Sequence, residues 1–306
     1  MRAAFAEEIE NLAQDNENII LLSGDIGNRM FDSFKSKWPH RFYNCGIAEA
    51  NMTSMAAGLA CNGLQPITYT IAAFNTIRCL EQIRIDICYQ NLPVIIVGVG
   101  GGLSYASLNA THQSLEDIAS LRVIPNITVI CPGDAWEVRA ALRQACLLNG
   151  PVYIRMAKKN EPLVHDGLPD FQIGKGLVVH EGQDICILNC GSLLPNAIES
   201  ARELDYRGIS TQVVSMHTVK PLDTELLQDI FSRFNFIITL EEHSIHGGFG
   251  SAVAEWLIQQ DSPKAKLSCI GTLDKFMYEA GDQDYARDYF GLSVNRITQK
   301  ITEIIK

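Results

Sequence analysis

Two runs, N-I-I-L-L-S-G-D ending at Asp25 and P-V-I-I-V-G-V-G ending at Gly100, constrain this chain more than any other feature. Each is apolar almost without interruption, so neither face of such a strand can meet water. The stretches between them have helical length. Strands covered on both faces and joined by helices imply a parallel sheet within an α/β domain. The same rhythm predicts strands around Tyr43 and at 67–71, 127–131 and 152–156. It predicts helices at 1–14, 75–89, 114–121 and 134–148, and one of small residues after Tyr43.

From 157 to 183 the rhythm lapses into K-K-N-E-P, H-D-G-L-P-D and G-K-G, which reads as an interdomain linker. A second block resumes it, with strands at 185–189, 211–216, 236–240 and 267–270. Its helices fall at 194–204, 223–231, 249–259 and 294–305. The fold class expected is α/β in two domains, 1–156 and 184–306, each a mostly parallel sheet flanked by helices.

Charge narrows the function classes. With 25 basic and 35 acidic residues the net charge is -10, which argues against a nucleic-acid partner. The basic residues are scattered, Lys158-Lys159 being a pair. No apolar run reaches membrane-spanning length, and the N-terminal helix lacks signal-peptide anatomy. Several of the nine cysteines fall in apolar segments, as reduced core thiols do. A cytoplasmic protein is expected. Cys186 and Cys190 share one face of a strand, and a core role suits them better than a metal pair.

The stretch N-C-G-I-A-E-A-N-M-T-S-M-A-A-G-L-A-C, 44–61, reads as a strand end, a glycine turn and a helix able to pack closely on a neighbour. Glu49 stands in its first turn, where exposed N–H groups favour a carboxylate. If the helix is buried, that acid is buried with it and must share its proton. Glycines 98, 100, 101 and 102 follow a strand but do not open directly into a helix, so they make a poor dinucleotide fingerprint. Their loop runs on to His112, ahead of Ser114 as an expected N-cap. A solvated loop histidine and a substrate contact both fit there. Phe74, where a strand hands over to a helix, suits either core packing or stacking on a flat ligand. Asp25 ends a strand and caps a turn or faces a ligand. In E-E-H-S-I-H-G-G-F-G, His243 and His246 are separated by a loop with no third ligand, so a glycine turn at a helix start is favoured over metal.

Together these pieces resemble the C-terminal half of the transketolase family of thiamin diphosphate enzymes. S-G-D-I-G at Asp25, F-Y-N-C-G-I-A-E-A at Glu49, the run from Phe74 to Arg84 and T-H-Q at 111–113 recur in order. So do P-N-I-T-V-I-C-P-G-D, V-K-P-L-D at 219–223 and E-E-H with G-G-F-G at 241–250. The resemblance implies a pyrimidine-binding domain followed by a mainly structural C-terminal domain. It implies that Glu49, as a protonated carboxyl in a dry site, bonds a ring nitrogen of the cofactor's aminopyrimidine and favours the imino tautomer that activates the thiazolium. Phe74 matches the stacking aromatic, and His112 a histidine that contacts substrate and moves protons. Asp25 matches an aspartate near the subunit interface; Lys158 and His246 complete the candidate substrate contacts.

Family members hold the diphosphate and Mg²⁺ through a G-D-G followed by asparagine in a preceding domain. Here the G-D pairs are G-D-I, G-D-A and G-D-Q. The chain is therefore expected to be one subunit of a split enzyme, an α2β2 heterotetramer whose N-terminal subunit carries the diphosphate domain. Where related deoxyxylulose phosphate synthases have P-R-G, A-K-K stands at 157–159, with Lys158 as a point charge rather than a fork. The expected activity is transfer of a two-carbon ketol unit from a ketose to an aldehyde. The beta subunit of a 2-oxoacid decarboxylating dehydrogenase component is the alternative, and a non-catalytic scaffolding paralogue the bland one.

Overall fold

The structure, a computed structural model, describes residues 1–306 apart from 28, 159–160 and 262–264. The chain forms β1 (Ile19–Ser23), β2 (Phe42–Asn44), β3 (Gln65–Ile71), β4 (Ile95–Val99), β5 (Thr128–Ile130) and β6 (Val152–Met156). Then come β7 (Leu177–His180), β8 (Ile185–Cys190), β9 (Thr211–Ser215), β10 (Thr218–Lys220), β11 (Phe236–Ser244) and β12 (Lys266–Thr272). Every residue of β1, β4, β6 and β8 is buried, as strands covered on both faces require. The strands make two sheets flanked by helices, ordered β10-β5-β6-β4-β3-β1-β2 and β12-β11-β8-β9-β7. All pairings are parallel except β10 with β5 and β7 with β9.

Two strands cross the expected division. β7 lies within the stretch read as a linker and closes an edge of the second sheet. β10, from the second block, pairs with β5 and closes an edge of the first. Strands of three or four residues are too short to show a period in the sequence. Asp134 caps helix Ala135–Ala145 by accepting from Trp136 and Glu137 N–H groups. Its other oxygen accepts from the N–H groups of Val164 and His165, at 3.0 and 2.9 Å, tying the connecting segment to the first domain. Cys186 and Cys190 are both buried on β8.

Two predicted helices are corrected. The one at 75–89 is broken into Ala72–Asn75, a tight turn Ile77–Cys79, Leu80–Gln82 and a wide π-type turn Ile83–Cys88. Thr76, at φ -124 and ψ -81, leaves the helical region, and its hydroxyl donates to Ala72 O at 2.7 Å. The helix expected from Ser114 starts at Asp117. Ser114 instead forms a two-residue antiparallel bridge with Gly102.

A dry polar seam joins the domains. Asp117 Oδ2 accepts from Arg155 Nε at 2.8 Å and Tyr153 OH at 2.6 Å, all three residues being buried. Burial opposes the Asp117 charge, but Arg155, His243 and the Tyr153 hydroxyl together hold its carboxyl below the usual range. From β11, Glu241 accepts from the Phe249 and Gly250 N–H groups that start helix Phe249–Leu257. Burial nevertheless raises Glu241 to about 7. His243 accepts from the Ala119 N–H at 3.3 Å and is pushed down to about 4 by burial.

Candidate active site

The candidate residues gather because of where their strands end. Gly24 and Asp25 follow β1, Glu49 follows β2, Phe74 follows β3, the 100–112 loop follows β4 and Lys158 follows β6. All stand at the carboxyl edge of one parallel sheet. The connection leaving β1 leads to β2 on one side, and that leaving β3 leads to β4 on the other. Open α/β sheets leave their ligand crevice at such a reversal.

Glu49 opens helix Glu49–Cys61 and is 2% exposed. Its Oε2 accepts from Arg78 Nη1 at 2.8 Å. The Arg78 guanidinium also lies 4.2 Å from the centroid of the Phe74 ring, in cation–π contact. The lone acid expected from the sequence therefore has a charged partner, since a carboxylate buried without one is too costly. Arg78 is the residue that sequence reasoning missed. A cation four residues after Phe74 was a signal, but the break at Thr76 means the two do not meet through helical spacing.

His112 meets the Phe74 ring edge to face, with centroids 5.1 Å apart. Its Nδ1 lies 2.8 Å from Thr111 Oγ1, and that hydroxyl is 2.9 Å from Leu108 O. A hydroxyl has one proton and a carbonyl can only accept, so Thr111 donates to Leu108. Nδ1–H then donates to Thr111, which leaves Nε2 as the basic nitrogen. Burial first, then the charges of Arg78 and Lys158, push the imidazole below its ordinary value. The ring is thus neutral near pH 7 and can take a proton. Lys158 Nζ stands 4.3 Å from the Tyr105 ring centroid, and Tyr105 lies beside His112. Lys159 lies outside the described residues.

Asp25 adopts φ 58, and its Oδ1 accepts from Asn44 Nδ2 at 2.9 Å. Asn44 Oδ1 in turn accepts from the Gly46 N–H, so the end of β1 braces the turn before Glu49. His246 does not join the group. It is exposed in the turn after β11, whose Gly247 faces Ala119 across the seam, and its N–H bonds Ser244 Oγ. The E-E-H residues at 241–243 serve the seam, while the His246 side chain stands exposed beside it. Gly101 and Gly102 are likewise explained by packing, because a Cβ would meet Arg155 Cγ or Glu242 O at 2.7 Å.

An aminopyrimidine suits this corner on the chemistry of its donors and acceptors. The Glu49 carboxyl, when protonated, has the proton that a ring nitrogen accepts, and the Phe74 face, on which the Arg78 guanidinium lies, can take a flat ring. The close approach at Gly24 suits a shaped cradle: a Cβ there would meet Thr70 Oγ1 at 3.0 Å and Glu49 Cγ at 3.4 Å. Thr70 Oγ1 is buried without a hydrogen-bond partner. Among the described residues no group of three or more His, Cys, Asp or Glu side chains would hold a metal ion. No described helix is long and apolar enough to cross a membrane.

Residues 1–162 match the model of the transketolase pyrimidine-binding domain, and residues 174–297 that of the transketolase C-terminal domain. The chain is 33% identical over 305 residues to the 6-deoxy-6-sulfo-D-fructose transketolase subunit of Clostridium sp. (strain MSTE9), covering 99% of this chain and 94% of that one. It is 32% identical over 307 residues to an apulose-4-phosphate transketolase subunit of Phocaeicola vulgatus, covering 100% and 97%. Among solved structures, a split gene transketolase in an inactive beta4 tetramer superposes with TM-score 0.89 at 35% identity, covering 99% and 96%.

Proposed function

The chain belongs to the transketolase family, and from that premise we propose that it is the C-terminal subunit of a split, thiamin diphosphate-dependent transketolase. Its reaction moves a two-carbon ketol unit from a ketose donor to an aldehyde acceptor. The observation that carries this reading is the joint presentation of the buried Glu49 carboxylate and the Phe74 face, with Arg78 spanning both. When bound, the cofactor supplies a nucleophilic carbon that takes up the donor's carbonyl unit.

The residues of this chain then have separable tasks. Glu49, as a protonated carboxyl, donates a hydrogen bond to a ring nitrogen of the pyrimidine and so sets its tautomer. Phe74 orients the ring by stacking. His112, neutral and basic at Nε2, moves a proton at a substrate hydroxyl. Lys158 attracts an anionic or polyhydroxylated tail as a point charge.

Diphosphate and Mg²⁺ are assigned to a partner subunit, because no G-D-G occurs here. An interface beside Glu49 is supported by apolar side chains left uncovered next to it and to its partner Arg78: Ile47 is 79% exposed and Ile77 44%. Two related proteins of nearly equal length are named as transketolase subunits. The test is reconstitution. Two-carbon transfer is expected only when this chain is mixed with a G-D-G-bearing partner, and calorimetry of the chain alone should show weak thiamin diphosphate binding. Tight stoichiometric binding by the chain alone, or pyruvate decarboxylation without ketol transfer by the mixture, would overturn the proposal.

A further inference from the structure

The loop that carries Tyr105 and His112 is pinned at its neck. Gly102 N–H donates to Ser114 O at 2.9 Å and Ser114 N–H to Gly102 O at 3.0 Å, so residues 103–113 close on themselves. From the first sheet, β6 holds the residues leading into that neck: the Gly100 and Gly101 N–H groups both donate to Met156 O, at 2.7 and 2.9 Å. The neck is also held from the second domain. Glu242, from β11 of the second domain and fully buried, takes the first residue beyond the neck: its Oε1 accepts from the Leu103 N–H at 2.7 Å. The same oxygen accepts from Gln283 Nε2 at 3.0 Å, and Oε2 accepts from Arg287 Nε at 2.7 Å. Both donors lie on helix Gln283–Phe290 of the second domain, so the carboxylate is held from behind before it reaches the loop.

The other side of the neck is tied to the same residue. Arg155 Nη2 donates to Ser114 O at 2.8 Å and to Glu242 O at 3.0 Å. Gly102 has φ 66, and a Cβ there would stand 2.7 Å from Glu242 O and Oε1. Backbone and carboxylate therefore meet in contact that only glycine permits.

We propose that Glu242 is a positioning residue for His112: a second-domain carboxylate that fixes the 103–113 loop and so sets where the imidazole stands against Phe74. Its importance for turnover rests on the reading of the site given above; the clamp itself does not. A buried carboxylate accepting from a backbone N–H is among the stronger hydrogen bonds, and its loss frees the segment it holds. A second domain read as mainly structural thereby reaches the site.

The test uses the full chain with Glu242→Ala, Glu242→Gln and, as control, Glu241→Gln. Glu241 is the neighbouring buried carboxylate, which starts helix Phe249–Leu257 and does not touch the loop. In Glu242→Ala, amide exchange from Leu103 to Gln113 is expected to quicken roughly tenfold to a hundredfold, with β8 and β11 amides unchanged. The His112 ring titration, followed by NMR, should move up toward that of an ordinary histidine. Glu242→Gln should restore part of both, and Glu241→Gln should move neither. Unchanged exchange at 103–113, or acceleration spread evenly over the second domain, would overturn the proposal. If Glu242→Ala does not fold, Gln283→Ala removes one donor to the same oxygen and should quicken the same loop alone; no change there counts equally against it. Because these readouts need no partner, they separate failure of the clamp from failure of the transketolase reading. In the reconstituted enzyme the matching outcome is a lower kcat with cofactor affinity little changed.

Discussion

The carboxyl edge of the first sheet and the seam between the domains both bury acids, yet they treat them differently. At the seam the acids are held by buried or nearly buried groups: Asp117 by Arg155, Glu242 by Arg287 and Gln283, and Glu241 by the Phe249 and Gly250 N–H groups. At the edge, Glu49 is 2% exposed while the side chain of its partner Arg78 is 46% exposed. One set of charges is closed on itself. The other ends at the surface, beside the uncovered side chains of Ile47 and Ile77. Bonds that cross from one domain to the other at the seam include Leu103 N–H to Glu242, Ala119 N–H to His243 and Arg155 to Glu242 O.

Breaking each region in turn tests that contrast. The largest effect is expected from Arg155→Met, which strands Asp117 in the interior and should cost about 3–5 kcal/mol of stability in urea unfolding. A loss below about 1 kcal/mol would show that the seam is not the closed charge system described. Glu49→Ala should do the converse. Turnover of the reconstituted enzyme is expected to fall by about three orders of magnitude, with a melting temperature near that of the unaltered chain. Near-normal turnover would remove Glu49 from the chemistry.

Acid sharpens the comparison at the seam. His243, and His217 stacked on Phe171, are held at about 4 by burial. Folded, they bind fewer protons than unfolded, so their contribution is present above the ordinary histidine value of 6.5 and lost as pH falls toward 4. Glu241, raised to about 7, works oppositely: its contribution is present below the ordinary 4.5 and lost as pH rises through 7. Two losses against one gain leave a net loss of stability on acidification, on the order of a few kcal/mol. His243→Gln should flatten that loss in unfolding curves taken from pH 7 to pH 4. An unflattened curve would mean that His243 is not titrating in the seam. The smallest effect is expected at the edge, where His112→Ala should lower turnover roughly tenfold to a hundredfold. The acid limb of the wild-type rate profile should lie below an ordinary histidine's. An unchanged rate would exclude the imidazole from proton transfer.

Much of the first domain was legible because its strands are apolar on both faces and their ends are marked by glycine or a lone polar residue. Asp25, Glu49, Phe74 and His112 could all be put at strand ends on that basis, and the structure brings them to one edge. Arg78 could not be found as Glu49's partner, because the broken helix at Thr76 sets its direction. His246 was named for its place in a motif; E-E-H faces the seam, and His246 stands exposed beside it. β7, β10 and helices Asp32–Lys37 and Gln283–Phe290 went unrecognised, being short and bearing few buried apolar residues.

What the amino-acid order determined alone was the layered α/β architecture, since alternation of apolar strands with helices leaves no other way to keep their surfaces dry. What only the folded chain decided was the pairing of charges far apart in sequence: Glu49 with Arg78, Asp117 with Arg155, and the Leu103 N–H with Glu242. Hydrophobic burial is non-directional and can be read from a local pattern. The strength of a charge pair or a buried hydrogen bond depends on ångström-scale distance and on exclusion of water, and neither exists until the sheets have packed.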